Sequence, residues 1–355
     1  MTQAFDGVAA LPADAAALLA PADAEFQLSA AWFFALEAAA RPAGARPLWL
    51  LHREAGAPLA LLPLWRFADG RLEGLSSPYT CVFRPLVADR DDAAALRRAG
   101  LAFGVACRGA GTPRLDALDP DWPGFSPLLS GFRRAGFFPL RFAHFGNWFC
   151  DTAGLDWAGY LAGRPGELRE TIRRRLARAA RDSSIAFELI AGGAGLEAGI
   201  AAYEAVYARS WKQPEPFPRF ADAVMRAAAG EGVLRLGVLR REGVPVAAQY
   251  WTVAGGTATV HKLAHDEAAR NLSPGTLLTA LMLRHLLDHE RVAGLDFGRG
   301  DDTYKAAWTG RRRPRVGVLL CPPWRLSGVL AIGRHLLGHA AAGWRKVLGT
   351  GRAVG

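Results

Sequence analysis

The residues with the clearest potential for chemistry are Ser273, Pro274, Gly275 and Thr276, which follow a β-branched stretch and a polar loop. Serine is preferred just before a helix, and proline is favoured at the first helical position because its missing N–H would lack a partner there. The pattern therefore predicts a helix that begins here. Its free N–H groups and its positive dipole end form a site for an anion, which the small Gly275 lets approach closely. An ordinary helix cap is the alternative interpretation.

Further polar side chains accompany this helix start. His261 and Lys262 point to opposite faces of the preceding strand, since side chains alternate along a strand. His261 is a candidate general base because histidine titrates near neutrality. Asp266, at the end of that strand, is expected to hold either the loop or an acceptor. Trp211 and Lys212 follow a helix and could wall an acceptor pocket, although Trp211 could equally belong to the core.

A metal site is not predicted. His285 and His289 share one helix face, as do His335 and His339, but no third ligand is placed near either pair. None of the four cysteines forms a C-x-x-C pair, so neither zinc nor a disulfide framework is indicated. This cysteine usage fits a reducing cytoplasm, and the N-terminus lacks the basic region of a signal peptide.

The elements that must position these residues form two α/β units. A length of 355 residues favours two domains. The first is predicted over residues 1–152, where two apolar runs split at Ala55-Gly56 indicate a hairpin. The second, over residues 153–323, shows three hairpin-linked strands and then a strand–helix–strand unit. This order predicts a mixed central sheet flanked by helices.

The positive charge is concentrated at the C-terminal end. The formal net charge is +10, and no acidic residue follows Asp302. Residues 324–355 combine leucine, valine and tryptophan with arginine and lysine, which predicts a basic amphipathic tail. Such a tail seeks a polyanion, and we expect weak contact with an anionic membrane at its inner face. A helix packed on its own domain is the alternative.

Several motifs between residues 160 and 322 resemble one family in order and spacing. They are Tyr207-Ala-Arg-Ser-Trp-Lys212, Leu236-Gly-Val-Leu239 followed by Gly243-Val-Pro-Val-Ala247, Ser273-Pro-Gly-Thr-Leu-Leu278, and Leu295-Asp-Phe-Gly-Arg-Gly-Asp-Asp-Thr-Tyr-Lys305. The run resembles the Acetyltransf_6 branch of the GNAT (Gcn5-related N-acetyltransferase) superfamily, which includes CelD/BcsL-type proteins of cellulose and polysaccharide biosynthesis. The Fem peptidyltransferases, which pair two GNAT-like folds, are related. The resemblance implies tandem GNAT-like folds, with a donor site in the second.

The resemblance also implies a donor and its position. In GNAT proteins two strands splay apart, and the pantetheine of acyl-CoA inserts between them. Here these strands would be residues 257–264 and 294–297. The backbone of Ser273, Gly275 and Thr276 would then bind the pyrophosphate, with acetyl-CoA as the expected co-substrate.

Roles for the remaining residues follow from the same resemblance. The backbone N–H near Leu263 would hold the carbonyl oxygen, and Asp296 or His261 would be the general base. Tyr304 would protonate the leaving thiolate, and Lys305 could bind a phosphate or carboxylate on the acceptor. The alternatives are that Asp296 caps the following loop and that Tyr304 packs in the core.

The expected function is transfer of an acyl group to an amine or hydroxyl of a sugar or surface-polysaccharide precursor. The loop Arg270-Asn-Leu-Ser-Pro-Gly275 has a single glycine and so departs from the usual Q/R-x-x-G-x-G/A pattern of GNAT proteins. A Fem-type transferase that uses aminoacyl-tRNA is therefore the first alternative, and the arginine-rich stretch 169–181 could bind that tRNA or simply face solvent. A catalytically idle scaffold for polysaccharide assembly is the second.

Overall fold

The computed structural model describes residues 1–335 and residue 337. Its strands are β1 Thr2–Phe5, β2 Ala45–Glu54, β3 Ala57–Phe67, β4 Leu72–Gly74, β5 Leu86–Val87, β6 Arg114–Leu118, β7 Phe138–Asp151, β8 Ile185–Ile190, β9 Leu234–Arg241, β10 Val244–Ala254, β11 Thr257–His265, β12 Gly294–Arg299 and β13 Arg311–Cys321. Its helices are α1 Ala13–Ala16, α2 Ala22–Glu25, α3 Ala30–Ala39, α4 Ala93–Cys107, α5 Phe125–Arg134, α6 Trp157–Ala162, α7 Gly166–Ala179, α8 Leu196–Ala208, α9 Phe220–Gly230, α10 Pro274–Asp288 and α11 Thr303–Thr309.

All these strands form one mixed sheet in the order β1-β2-β3-β4-β6-β13-β7-β12-β11-β10-β9-β8, with β5 paired to β3. At its centre the long strands β7 and β13 run antiparallel. Strand β13, from the end of the chain, also pairs with β6, while β7, from the first half, also pairs with β12. Each half of the sheet therefore contains a strand that the other half of the sequence supplies.

Local sequence explains the strands that lead to the site. Strands β9 and β10 meet at a two-residue turn in which Glu242 and Gly243 both have positive φ, 52° and 78°. That conformation matches the twist of a two-residue hairpin. Strand β10 is almost wholly buried, and apolar residues dominate it because helices cover both of its faces.

Helices on both faces bury three apolar clusters. One cluster joins the two halves of the chain, since it combines Trp32 of α3 with residues of α8, α9 and β10. The rings of Trp32 and Phe220 lie 5.5 Å apart, edge to face. The α4–α5 pair covers the first half, and α10 covers the other face of the second.

The mixed α/β architecture is confirmed, and most predicted elements lie within a few residues of the observed ones. The sequence did not indicate β1, β4 or β5, nor the exchange of β7 and β13. The predicted boundaries near residues 152 and 323 follow the ends of β7 and β13. Of the predicted tail at 324–355, residues 326–335 and 337 are helical, and residues 336 and 338–355 lie outside the described residues. Within the described part of the chain, no helix is long and apolar enough to cross a membrane.

Candidate functional site

A gap opens in the sheet between β11 and β12. The two strands pair in parallel at only three positions, from Thr257 opposite Gly294 to Thr259 opposite Asp296. Beyond these positions β11 continues to His265 without pairing to β12. The predicted separation of these strands is therefore present, and one edge of β11, including Leu263, faces the gap.

Helix α10 begins beside this gap with its N–H groups free. Pro274 is its first residue, as predicted, and Ser273 occupies the cap position with a left-handed φ of 49°. In this conformation the Ser273 hydroxyl makes no capping hydrogen bond. Within the described residues, the N–H groups of Gly275 and Thr276 also have no hydrogen-bond acceptor. The helix start therefore offers two donors and a positive dipole end to an anion.

A buried amide fixes the position of this helix start. Gln249 of β10 is fully buried, and its Nε2 donates to Thr279 Oγ1 at 2.7 Å and to the Gly275 carbonyl at 3.4 Å. Its Oε1 accepts from Trp251 Nε1 at 2.9 Å. Because a buried amide is costly to leave unpaired, these contacts hold the first turns of α10 against β10.

Two cavities meet at this gap and share a wall. One cavity, about 470 Å³, lies against the start of α10 and is lined by Ser273, Gly275, Thr276, His265 and Trp308 among others; we call it the donor-side cavity after the role predicted for these residues. The second, about 450 Å³, is lined by Tyr79, Lys212, His261, Lys262, Phe297, Arg299 and Lys305 among others, and we call it the acceptor-side cavity for the same reason. Trp211, Leu263 and Tyr304 line both. A group held in one cavity can therefore meet a group held in the other beside these three residues.

Tyr304 and Lys305 lie in the first turn of α11 and have different environments. Tyr304 is 49% exposed toward the cavities. Desolvation by the surrounding protein, with a contribution from Asp302, raises its pKa to about 12. It is therefore protonated at neutral pH, as a proton donor must be. Lys305 is buried, and its Nζ donates to the Arg299 carbonyl at 2.8 Å and lies 3.1 Å from Asp302.

Glu215 lies outside the lining of the acceptor-side cavity and holds two of its lining residues, Lys262 and Tyr79, in place. Its carboxylate accepts from Lys262 Nζ at 2.6 Å, from Tyr79 Oη at 2.7 Å and from the Tyr207 hydroxyl. Burial alone would raise its pKa, but these hydrogen bonds hold that pKa below its usual range. Tyr79 belongs to the first half of the chain, so both halves contribute to this cavity. The sequence indicated neither Glu215 nor Tyr79, because each lies in a loop without a motif.

Trp211 and Lys212 line the cavities, as expected for the wall of a pocket. The Trp211 ring lies 4.3 Å from the His265 ring and is 48% exposed, so it is not core. Lys212 Nζ forms no hydrogen bond or ion pair with another residue in the described part of the chain. Burial, and then the charge of Lys262, lowers its pKa to about 8.

The two predicted bases, Asp296 and His261, are both engaged in hydrogen bonds with other protein groups. Asp296 is buried outside both cavities, and its carboxylate accepts from Arg313, Asn147 and the Gly298 N–H, each at 2.7 Å. Its lone pairs are therefore engaged by donors. His261 reaches the acceptor-side cavity, but its Nε2 is 2.8 Å from Thr252 Oγ1. Burial lowers the pKa of His261 to about 4.

Asp266 orders the loop that leads to α10. Its carboxylate accepts from Arg209 Nε at 2.7 Å and from the Ala268 N–H at 2.9 Å. The Arg209 hydrogen bond is the largest cause of its lowered pKa. Of the two interpretations drawn from the sequence, these contacts favour the role of holding the loop over that of binding an acceptor.

Residues 166–306 match the family profile Acetyltransf_6, described as an acetyltransferase (GNAT) domain. The second half of the chain carries a GNAT acetyltransferase domain. The matched segment runs from α7 into α11 and so includes the gap, the start of α10 and Tyr304. No protein with a curated description matches the sequence. The matched domain and its fold support an acyltransferase.

Solved structures resemble nearly the whole chain, not the GNAT domain alone. FemX matches with a TM-score of 0.58 and 11% identity, over 86% of this chain and 94% of its own. A tandem GNAT protein from the clavulanic acid biosynthesis pathway matches with a TM-score of 0.52 and 14% identity, over 90% of this chain and 98% of its own. The structure of L-PGS from Bacillus licheniformis matches with a TM-score of 0.51 and 11% identity, over 86% of this chain and 94% of its own. At these identities the likeness shows the fold, which is that of a tandem GNAT protein.

Proposed function

We propose that this protein transfers an acyl group from acyl-CoA, with acetyl-CoA as the first candidate, to an amine or hydroxyl of a sugar or surface-polysaccharide precursor. The observation that carries the proposal is the shared wall of the two cavities at Tyr304. Residues 1–152 would form a first GNAT-like domain without its own donor site, and residues 153–323 the domain that binds the donor. The aromatic and polar lining of the acceptor-side cavity fits a sugar-like acceptor, as proposed from the resemblance to CelD/BcsL-type proteins.

The residues at the start of α10 fit the diphosphate of CoA. Two backbone N–H groups are free there, and Gly275 leaves the approach to them open. A side chain at this position would come within 3.2 Å of the His265 ring and fill the space beside the helix start. The gap between β11 and β12 would then admit the pantetheine arm, with the thioester beside Leu263 and Tyr304.

The chemistry would be a direct attack. The acceptor nitrogen or oxygen forms a bond to the thioester carbonyl carbon, and the bond from that carbon to sulfur breaks. Backbone N–H groups near Leu263 would stabilise the carbonyl oxygen as it gains negative charge. The Tyr304 hydroxyl would give its proton to the departing sulfur. The proton that the acceptor loses would pass to His261 or Asp296, the bases proposed from the sequence. The hydrogen bonds that engage the Asp296 carboxylate weigh against Asp296 in this role.

A second candidate, a Fem-type aminoacyl-tRNA-dependent transferase, is favoured by the arginines of α7. Leu168 of α7 lines the donor-side cavity, and Arg175 donates to the Asn271 carbonyl at 2.9 Å, just before the start of α10. On the same helix, Arg173 and Arg174 have 72% and 70% of their side chains exposed. A donor with an extended phosphate backbone could contact this helix while its reactive end lies in the cavity.

Parallel calorimetry with acetyl-CoA, longer acyl-CoAs and aminoacyl-tRNA separates these candidates. Binding of an acyl-CoA and release of its thiol in the presence of an acceptor would support the first. Binding of aminoacyl-tRNA alone would support the second. Donor binding that never leads to transfer would support the third proposal, an idle scaffold in polysaccharide biosynthesis.

A further inference from the structure

Lysine is rare in this chain, and its positions are not scattered. The sequence contains 43 lysines and arginines, but lysine stands only at positions 212, 262, 305 and 346. Three of these four line the acceptor-side cavity, although they lie far apart in sequence. In the described part of the chain, arginine or histidine supplies the cation of every ion pair except those of Lys262 and Lys305. Arginine, and not lysine, therefore supplies most of the positive charge of this protein and most of its ion pairs.

The three lysines are held in different ways around one space. Glu215 fixes Lys262 from one side, and the Arg299 carbonyl and Asp302 fix Lys305 from the other. Lys212 makes no ion pair or hydrogen bond through its Nζ within the described residues, and this Nζ lies 5.7 Å from the centroid of the Trp211 ring. The cavity therefore has two oriented ammonium groups and one that lacks a counterion.

A fourth cation, Arg299, lines the same cavity without a carboxylate partner among the described residues. Its guanidinium is 3.1 Å from His144 Nε2 and lies over the Phe145 ring at 4.5 Å. Burial lowers its pKa. The lining of the cavity contains these four cations and one carboxylate, Asp302, while Glu215 pairs with Lys262 from outside the lining. Positive charge therefore exceeds negative charge in the lining.

Partly buried positive charge without a counterion is costly, and a bound anion would remove that cost. We propose that the acceptor-side cavity binds an oxyanion, a phosphate or a carboxylate, carried by the acceptor, and that Lys212, Lys262 and Lys305 recognise it. Lysine suits this role because its ammonium is a compact charge with three donors, which can approach one oxyanion from several directions. The inference rests on the proposed function, since it assigns a chemical class to the acceptor of that same reaction.

The test uses the full chain with ¹³C-labelled lysine, since only four lysine side chains then give signals. The donor site is first saturated with CoA, so that added anions do not compete for the start of α10. Inorganic phosphate and acetate are titrated separately, with sodium chloride keeping the ionic strength constant. We expect saturable shifts of three lysine signals with at least one of the two anions. The stronger of the two identifies the oxyanion as phosphate or carboxylate.

Matched charge-removal variants complete the test. Lys212→Met should weaken binding of the preferred anion at least about tenfold, because it removes the lysine whose ammonium makes no ion pair or hydrogen bond within the described residues. Arg134→Met, which removes an exposed positive charge on α5, should leave the affinity unchanged. Lys262→Met serves as a second cavity variant if Lys212→Met does not fold.

Two results would overturn the proposal: anions that shift none of the cavity lysines, or equal affinity in Lys212→Met and Arg134→Met. A protein that fails to bind CoA at the first step would instead contradict the proposed acyl-CoA dependence. The lysine signals would still answer the question about the anion, so the two failures are distinguishable.

Discussion

Arg313 of β13 donates to the carboxylate of Asp296 in β12 at 2.7 Å, although β7 lies between their two strands. Asn147 of β7 completes the contact, since it donates to Asp296 and accepts from Arg313 Nε at 2.6 Å. Three strands from both halves of the chain thus meet at one carboxylate. Asp296 stabilises the place where the two halves exchange strands, and this role competes with the sequence-based prediction of a general base.

We therefore predict that Asp296→Asn acts on stability more than on donor binding. The change leaves Arg313 and the Gly298 N–H with a poorer acceptor, which should lower the free energy of unfolding by about 1–3 kcal/mol. Urea unfolding of the variant and of Asp121→Asn, an exposed control on a loop, measures the difference. Wild-type stability combined with a large loss of turnover would instead restore Asp296 as a base.

Tyr304→Phe should affect turnover and leave CoA affinity unchanged. The hydroxyl is protonated at neutral pH and lies where the two cavities meet, so its loss removes the proton donor without changing the cavity shape. Loss of a general acid typically costs roughly 10²–10⁴ in rate. Steady-state rates with an identified acceptor, together with calorimetry of CoA, measure both quantities. A variant that turns over at the wild-type rate would remove Tyr304 from the mechanism.

Anion binding to the acceptor-side cavity should weaken above about pH 8. The pKa of Lys212 is lowered to about 8 by burial, and then by Lys262, while Glu215 and Asp302 partly oppose this shift. Below that pH Lys212 carries its positive charge, and above it the charge is lost together with its attraction for an anion. Titrations of acetate, whose charge is constant between pH 7 and 9.5, measure the effect when they are compared with Lys212→Met. A pH dependence that persists in the variant would assign the titration to another group.

The arginines of α7 should decide whether a nucleic acid is the donor carrier. The logarithm of the affinity for a nucleic acid falls linearly with the logarithm of the salt concentration. Each phosphate contact contributes about −0.7 to this slope for a single strand and about −0.9 for a duplex. If tRNA binds, the triple change of Arg173, Arg174 and Arg178 to Ala should weaken binding and flatten this slope. Absence of tRNA binding at low salt would exclude the Fem-type alternative.

Local signals in the sequence were sufficient for much of the donor side. Pro274 marks the start of α10, and the β-branched run that becomes β11 precedes it, so both could be predicted from neighbouring residues. The acceptor side could not, because its parts meet only in three dimensions. Tyr79 and Glu215 are 136 residues apart, and neither lies in a motif that suggests the other.

The partners of Asp296 illustrate the same limit. A carboxylate at the end of a strand beside a predicted donor site resembles a base when only its own neighbours are considered. Its actual partner Asn147 is 149 residues away, on a strand that the sequence placed in the other domain. Propensity and periodicity locate strands but do not say which strands pair, so the exchange of β7 and β13 was not predictable.

The central claim, that CoA binds at the start of α10, is tested most directly by calorimetry of acetyl-CoA with Gly275→Val. A valine there would crowd His265 and Leu263 and block approach to the free N–H groups. We expect at least tenfold weaker binding, or ~1.4 kcal/mol. Gly195→Val, at an exposed position before α8 with open space around it, is the matched control and should bind normally. Unchanged acetyl-CoA affinity in a folded Gly275→Val protein would contradict the assignment of the donor site.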